Sequence, residues 1–160
     1  MTKSGRVAAS SRQESVNVAR SSMGRWQFLA HPADFKIRVE GNSAADLFLS
    51  AMLALAEILQ PDSCRDQHQT EIKQKIEVRA NDLTSLLIDF LNKVLFYSQV
   101  EGVVFCRLEI DKLTDNYLAA TIGGSKVREF AVDIKAATYH QAEVKKDKSG
   151  KYSSIIIFDI

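Results

Sequence analysis

Two segments repeat apolar residues at helical spacing, and they set the first limit on the fold. Leu47, Ala51, Leu55 and Ile58 fall on one face of a helix. Leu83, Leu87, Phe90, Leu91 and Val94 do the same further on. A helix with one apolar face must bury that face against another layer. The flanking segments alternate apolar and polar residues, the period of a half-buried strand. The first helix is bracketed by Ser43, with Asp46 three residues on, and by Pro61. This is the pattern of an N-cap, an acid in the first turn and a stop. Asn81 or Asp82 caps the second helix, and Glu101-Gly102 ends it.

Strands are expected at 26–30 and 35–40, with Pro32 forcing a bend between them. Others are expected at 72–78, 103–111, 116–122, 132–145 and 152–160. Turns fall at Gly41-Asn42, Leu113–Asp115, Gly123-Gly124 and Asp147–Gly150. The order β-β-α-β-α-β-β-β-β predicts an α+β two-layer sandwich, with both helices on one face of a single mixed sheet. The 160-residue chain suffices for one domain, read as 25–160. Residues 1–24 are rich in Ser, Ala and Arg without apolar periodicity. They read as a disordered leader, a transit peptide, or an extension upstream of a start at Met23.

Charge excludes one broad class. The net charge is +1, but residues 1–24 hold Lys3, Arg6, Arg12 and Arg20 against Glu14. The remainder carries 17 basic and 19 acidic residues, so the body is not a basic nucleic-acid binder by composition. No apolar run is long enough to span a membrane.

The chemistry-bearing residues divide unevenly. Cys64 and Cys106 show no CxxC and no disulfide framework, which implies a reducing compartment, the cytoplasm. Alternation groups Val104, Cys106 and Leu108, making Cys106 a small core residue. Nothing orients Cys64 against His68 as a nucleophile pair. Gly123-Gly124-Ser125-Lys126 lacks the strand–loop–helix context of a phosphate cradle and reads as a hairpin turn. His31, His68 and His140 are too scattered for zinc. A hard-cation site is better supported. Ile155, Ile157 and Asp159 share one face of the last strand, and the α-carboxylate of Ile160 follows within one peptide unit. Neighbouring carboxylates repel unless a cation or base compensates them. A third oxygen ligand would complete a Ca²⁺ or Mg²⁺ site, but spacing alone does not supply one.

Four blocks, in order, resemble the archease family: HPADFKIRVEG (31–41), DLTSLLIDFLNKVLFY (82–97), KAATYH (135–140) and the closing IIIFDI (155–160). The resemblance covers 25–160. It implies two helices on a mixed sheet and a role as a non-catalytic activating cofactor. The implied partner is an RtcB-type RNA ligase, which uses GTP and Mn²⁺ to join RNA ends in tRNA splicing and repair. Association with tRNA or broken RNA would be indirect, and no membrane or disulfide-linked partner is expected. The resemblance places metal ligands at Asp34, Asp159 and the terminal carboxylate of Ile160, with Ca²⁺ as the first choice and Mg²⁺ or Mn²⁺ as alternatives. It gives His31, Lys135, Tyr139 and His140 supporting or interface positions. Pro32 stands where the family commonly has Thr, and Lys93 where its helix pattern often has Glu. The rival classes are a chaperone-like modulator of partner proteins and a free-standing metal-dependent hydrolase. No general base or nucleophile at a recognisable spacing supports the hydrolase.

Overall fold

The computed structural model describes residues 24–29, 34–65 and 71–160. Its elements are β1 (Arg25–Leu29), β2 (Phe35–Gly41), α1 (Ala44–Leu59), β3 (Ile72–Arg79), α2 (Leu83–Glu101), β4 (Val103–Leu113), β5 (Tyr117–Lys126), β6 (Ala136–Thr138), β7 (Lys145–Lys146) and β8 (Tyr152–Asp159). The α+β class stands, but the strands form two sheets rather than one. The first runs β1-β2-β8-β6, with β7 also paired to β8; the second runs β3-β5-β4. Every ladder is antiparallel, where the sequence reading expected a mixed sheet.

Both helices start where a side chain meets an orphan backbone donor. Ser43 Oγ accepts from the Asp46 N–H at 3.1 Å, and Asp82 Oδ1 accepts from the Ser85 N–H at 2.7 Å. The second helix closes on Gly102, whose φ of 67° is the left-handed conformation glycine adopts at low cost. Helix α1 packs on β2 of the first sheet and β4 of the second, while α2 touches β6, β3, β4 and β5. One helical layer therefore serves both sheets. At its centre Phe48 and Phe90, both fully buried, meet at 5.3 Å between ring centroids.

Strand β8 is paired on both sides, to β2 and to β6 and β7. This accounts for its unbroken Ile156-Ile157-Phe158 run. Ile156 and Phe158 enter the core, and Ile157 is also buried, between Lys36 and Thr138 in the ladder.

Three local expectations are corrected. Gly123 and Gly124 are not a turn but lie inside β5. A Cβ on Gly124 would stand 2.0 Å from the carbonyl oxygen of Val104, and one on Gly123 would meet the Glu71 carboxylate at 2.7 Å. Glycine is there because other groups approach the strand closely. The expected strand at 132–145 survives only as β6 and β7, because residues 139–142 turn, with Gln141 at φ 61°.

The third correction concerns the cysteines. Cys64 and Cys106 are joined in a disulfide across 42 residues, contrary to the expectation of no disulfide framework. The ladder slips between Phe105 and Arg107, leaving Cys106 as the extra residue of a β-bulge. Phe105 faces Gly124 and Leu108 faces Ile122, so these two share a face and the expected Val104–Cys106–Leu108 alternation is broken. The bulge re-aims Cys106 toward the segment after α1. Cys106 is still buried, as the sequence reading held.

Candidate functional site

The first sheet brings together residues from opposite ends of the sequence. In the β2–β8 ladder Phe35 pairs with Phe158. Continuing that register by one residue sets Asp34 across from Asp159. On the other side of β8, Ala136 pairs with Asp159, and the Lys135 N–H donates to the Asp159 carbonyl oxygen at 2.7 Å. Asp159 is therefore held through its backbone while its side chain is exposed. Ile160 follows, 42% exposed. Asp34, Asp159 and Ile160 thus gather at one end of the first sheet.

This arrangement offers oxygen donors only. Among the described residues no group of three or more His, Cys, Asp or Glu side chains is placed to hold a metal ion. A cation at this corner would meet the carboxylates of Asp34 and Asp159. Such a donor set suits a hard cation and not a soft one.

The KAATYH block is held from the far side by α2. Asn92 acts on the open edge of β6 as a strand would. Its Oδ1 accepts from the Ala137 N–H at 2.8 Å, and its Nδ2 donates to the Ala137 carbonyl at 2.9 Å. Gln99 Nε2 donates to the Ile134 carbonyl at 2.8 Å. The Tyr139 hydroxyl donates to the Asp89 carboxylate, which pushes the phenol up to about 12: the hydrogen bond contributes most, then burial, then the negative charge. The Val144 N–H donates to Thr84 Oγ1 at 2.9 Å. Lys135, Tyr139 and His140 are exposed. Tyr139 is drawn to α2, and Lys135 touches the corner through its backbone. His31 lies outside the described residues, as does His68.

The sequence reading used α2 for its apolar stripe and missed its second stripe. Asp89, Asn92, Phe96 and Gln99 recur three and four residues apart. That spacing puts them on one face, and three of the four hydrogen-bond the 134–139 segment. The recurrence was the available signal.

Two antiparallel sheets under a shared pair of helices, with Asp34 and Asp159 at one end of the first sheet, define a small α+β protein. The model of the Archease protein family (MTH1598/TM1083) matches residues 26–160, and the chain belongs to that family. It is 32% identical over 145 residues to protein archease of Pyrococcus abyssi, covering 86% of this chain and 100% of that protein. It is 27% identical to protein archease of Methanosarcina mazei, covering 83% of this chain and 94% of that protein. The solution structure of Methanobacterium thermoautotrophicum protein 1598 superposes with a TM-score of 0.66 at 27% identity, covering 84% of this chain and 98% of that one. The crystal structure of a Thermotoga maritima protein described as "an archease, possible chaperone" gives a TM-score of 0.59 at 22% identity, covering 82% of this chain and 94% of that one. No helix among the described residues is long and apolar enough to cross a membrane.

Proposed function

We propose that the chain is a non-catalytic protein cofactor of an RtcB-type, GTP- and Mn²⁺-dependent RNA ligase, acting in tRNA splicing and RNA repair. The observation that carries this reading is the β2–β8 register, which sets Asp34 across from Asp159 beside Ile160. Family membership supports it. Asp34, Asp159 and the terminal carboxylate of Ile160 would hold a divalent cation, Ca²⁺ first by the tolerance of its coordination geometry. Bound there, the cation would neutralise the mutual repulsion of the carboxylates and lock the corner's shape.

The chain's own part is positional. Strand β8 lies between β2 and β6, and the backbone of Asp159 is paired to 135–136, which fixes where its carboxylate starts from. Docked at the mouth of the ligase active site, the corner helps arrange the ligase's own groups for guanylylation and for repeated turnover. RNA is met through the ligase.

The test is ligase turnover at a low ratio of this protein to ligase, with GTP, Mn²⁺ and a broken RNA, counting joined ends per ligase. The native chain is expected to raise turnover. Asp159→Ala and a chain extended by two residues beyond Ile160 are expected not to, while melting as the native chain does. Equal stimulation by all three would remove the acidic corner from the mechanism. Failure of all three with a cognate ligase, together with suppressed aggregation of unrelated proteins, would replace the reading with a chaperone-like one.

A further inference from the structure

Strand β6 is only three residues long, Ala136–Thr138, and in the sheet it pairs with β8. So short a ladder is a weak hold, since strands usually run to about five or six residues. Yet this strand carries the last pairing of the acidic corner. The β2–β8 ladder closes at Phe35–Phe158. Asp159 lies one residue past that pair, and its backbone is met from the other side. Ala136 is its partner in the ladder, and the Lys135 N–H donates to its carbonyl oxygen at 2.7 Å. The place of Asp159 therefore follows the place of Lys135 and Ala136.

Those two residues are bracketed by α2. Gln99 takes the carbonyl of Ile134, the residue before them. Asn92 takes both backbone groups of Ala137, the residue after them. Asn92 and Gln99 stand about two helical turns apart, on one face of α2. In an antiparallel ladder the N–H and C=O of one residue point to the same side, and the sides alternate along the strand. Ala137 gives both groups to Asn92, which leaves those of Ala136 and Thr138 turned to β8. A side-chain amide suits this task because it carries a donor and an acceptor together, as a peptide group does. The helix supplies the fixed end. Phe90 and Leu91 before Asn92, and Val94 and Leu95 after it, are all buried in the core.

We propose that Asn92 is the positioning residue of the acidic corner, with Gln99 as its second hold. By tying β6 to a helix anchored in the core, Asn92 sets the backbone from which the Asp159 carboxylate meets a cation. It acts through β6 and not as a ligand. This inference rests on the cation-site reading and adds to it the residue that tunes the site's affinity. Ligands already held in place lose less freedom on binding, and the groups that hold them alter metal affinity by about 10–100-fold.

The experiment measures Ca²⁺ binding to the full chain by calorimetric titration, at a temperature where every variant is folded. Asn92→Ala should weaken binding about tenfold, the lower end of that range, because it acts through the backbone. Gln99→Ala should weaken it less. Leu118→Ala, a truncation in the core of the second sheet, controls for lost stability and should leave the affinity unchanged. Asp159→Ala should abolish binding, which assigns the heat to the corner. Native affinity in Asn92→Ala, or equal weakening in Leu118→Ala, would overturn the positioning role and leave the cation site standing. A native chain that binds Ca²⁺ without stimulating the ligase would remove the ligase reading, and weakened binding in Asn92→Ala would still uphold the positioning role. If the native chain binds none of Ca²⁺, Mg²⁺ and Mn²⁺, the cation site and this inference fall together.

Discussion

The two helices are built from similar apolar stripes yet do different work. Helix α1 buries Leu47, Phe48, Ser50 and every residue from Ala51 to Ala56, then Ile58 and Leu59. It is core almost all round and joins the two sheets from within. Helix α2 buries fewer of its residues and keeps Lys93, Phe96, Gln99 and Val100 at the surface. Its polar side chains substitute for a missing strand along β6. A helix closed into the core on most sides has no side left to recognise anything. A helix with a second, polar stripe can both brace an edge and face a partner.

The largest contrast should come from removing one ring from each helix. Phe48→Ala, in the fully buried centre, should cost about 3–5 kcal/mol of stability by chemical denaturation. Phe96→Ala should stay within about 0.5 kcal/mol, as exposed positions do. Comparable losses from both would mean that α2 is as closed as α1.

Next comes the covalent tie. The Cys64–Cys106 bond anchors the chain leaving α1 to β4, whereas the chain leaving α2 is held by Gly102 and non-covalent contacts. Closing a 42-residue separation restricts the unfolded chain by about 4 kcal/mol at most. Cys64→Ser, compared with the oxidised native chain, should lower the melting temperature accordingly. A reductant should bring the native chain down to the variant. No difference between them would show that the bond does not constrain the chain.

A smaller effect should follow Asn92→Ala, which strips partners from the Ala137 N–H and carbonyl. About 1–3 kcal/mol is expected. Amide exchange at Ala137 should quicken more than at α1 residues, which would mark α2 as the brace of that edge.

The smallest contrast is electrostatic. Helix α1 is capped by Ser43, which does not titrate, and α2 by Asp82. The Ser85 backbone N–H, and then its side chain, hold the Asp82 carboxyl below the usual carboxylate range. A group whose folded pKa is depressed contributes stability above its unfolded pKa and loses it as pH falls through the lower folded value. Stability should therefore decline as pH drops below about 4. Asp82→Asn should shallow that decline without abolishing it, because Asp147 is lowered in the same sense by its bonds to Ser149 and Lys151. An unaltered acid limb in Asp82→Asn would remove the cap from the account.

What could be read from the sequence was what local chemistry decides. The two apolar stripes, the Ser43 and Asp82 caps, the Pro61 stop and the Asp147–Gly150 turn each depend on residues within a few positions of one another. What could not be read depends on distant groups. Gly123-Gly124 has turn composition, and only the approach of Val104 and Glu71 explains it as strand. Cys106 looked like a core residue, and it is one, but its bond to Cys64 needs a bulge that no local pattern announces. The division into two sheets follows from which strands pair, a choice that alternation does not make. For the site, Asp159 was legible as the end of a strand. Its meeting with Asp34 required the β2–β8 register, and before that it rested on resemblance.

That register has a kinetic consequence. The second sheet includes the β4–β5 hairpin, whose strands are neighbours in sequence, so part of it closes over a short loop. The first sheet closes only when 35–41 finds 152–159. Loop-closure entropy makes such distant pairings slow to form. During synthesis β2 emerges long before β8 and until then has only its neighbours β1 and α1 to pack against. The meeting of Asp34 with Asp159 waits on that same pairing. A chain without 155–159 keeps the residues of both helices and of the β4–β5 hairpin but lacks the pairing that brings Asp34 across from Asp159.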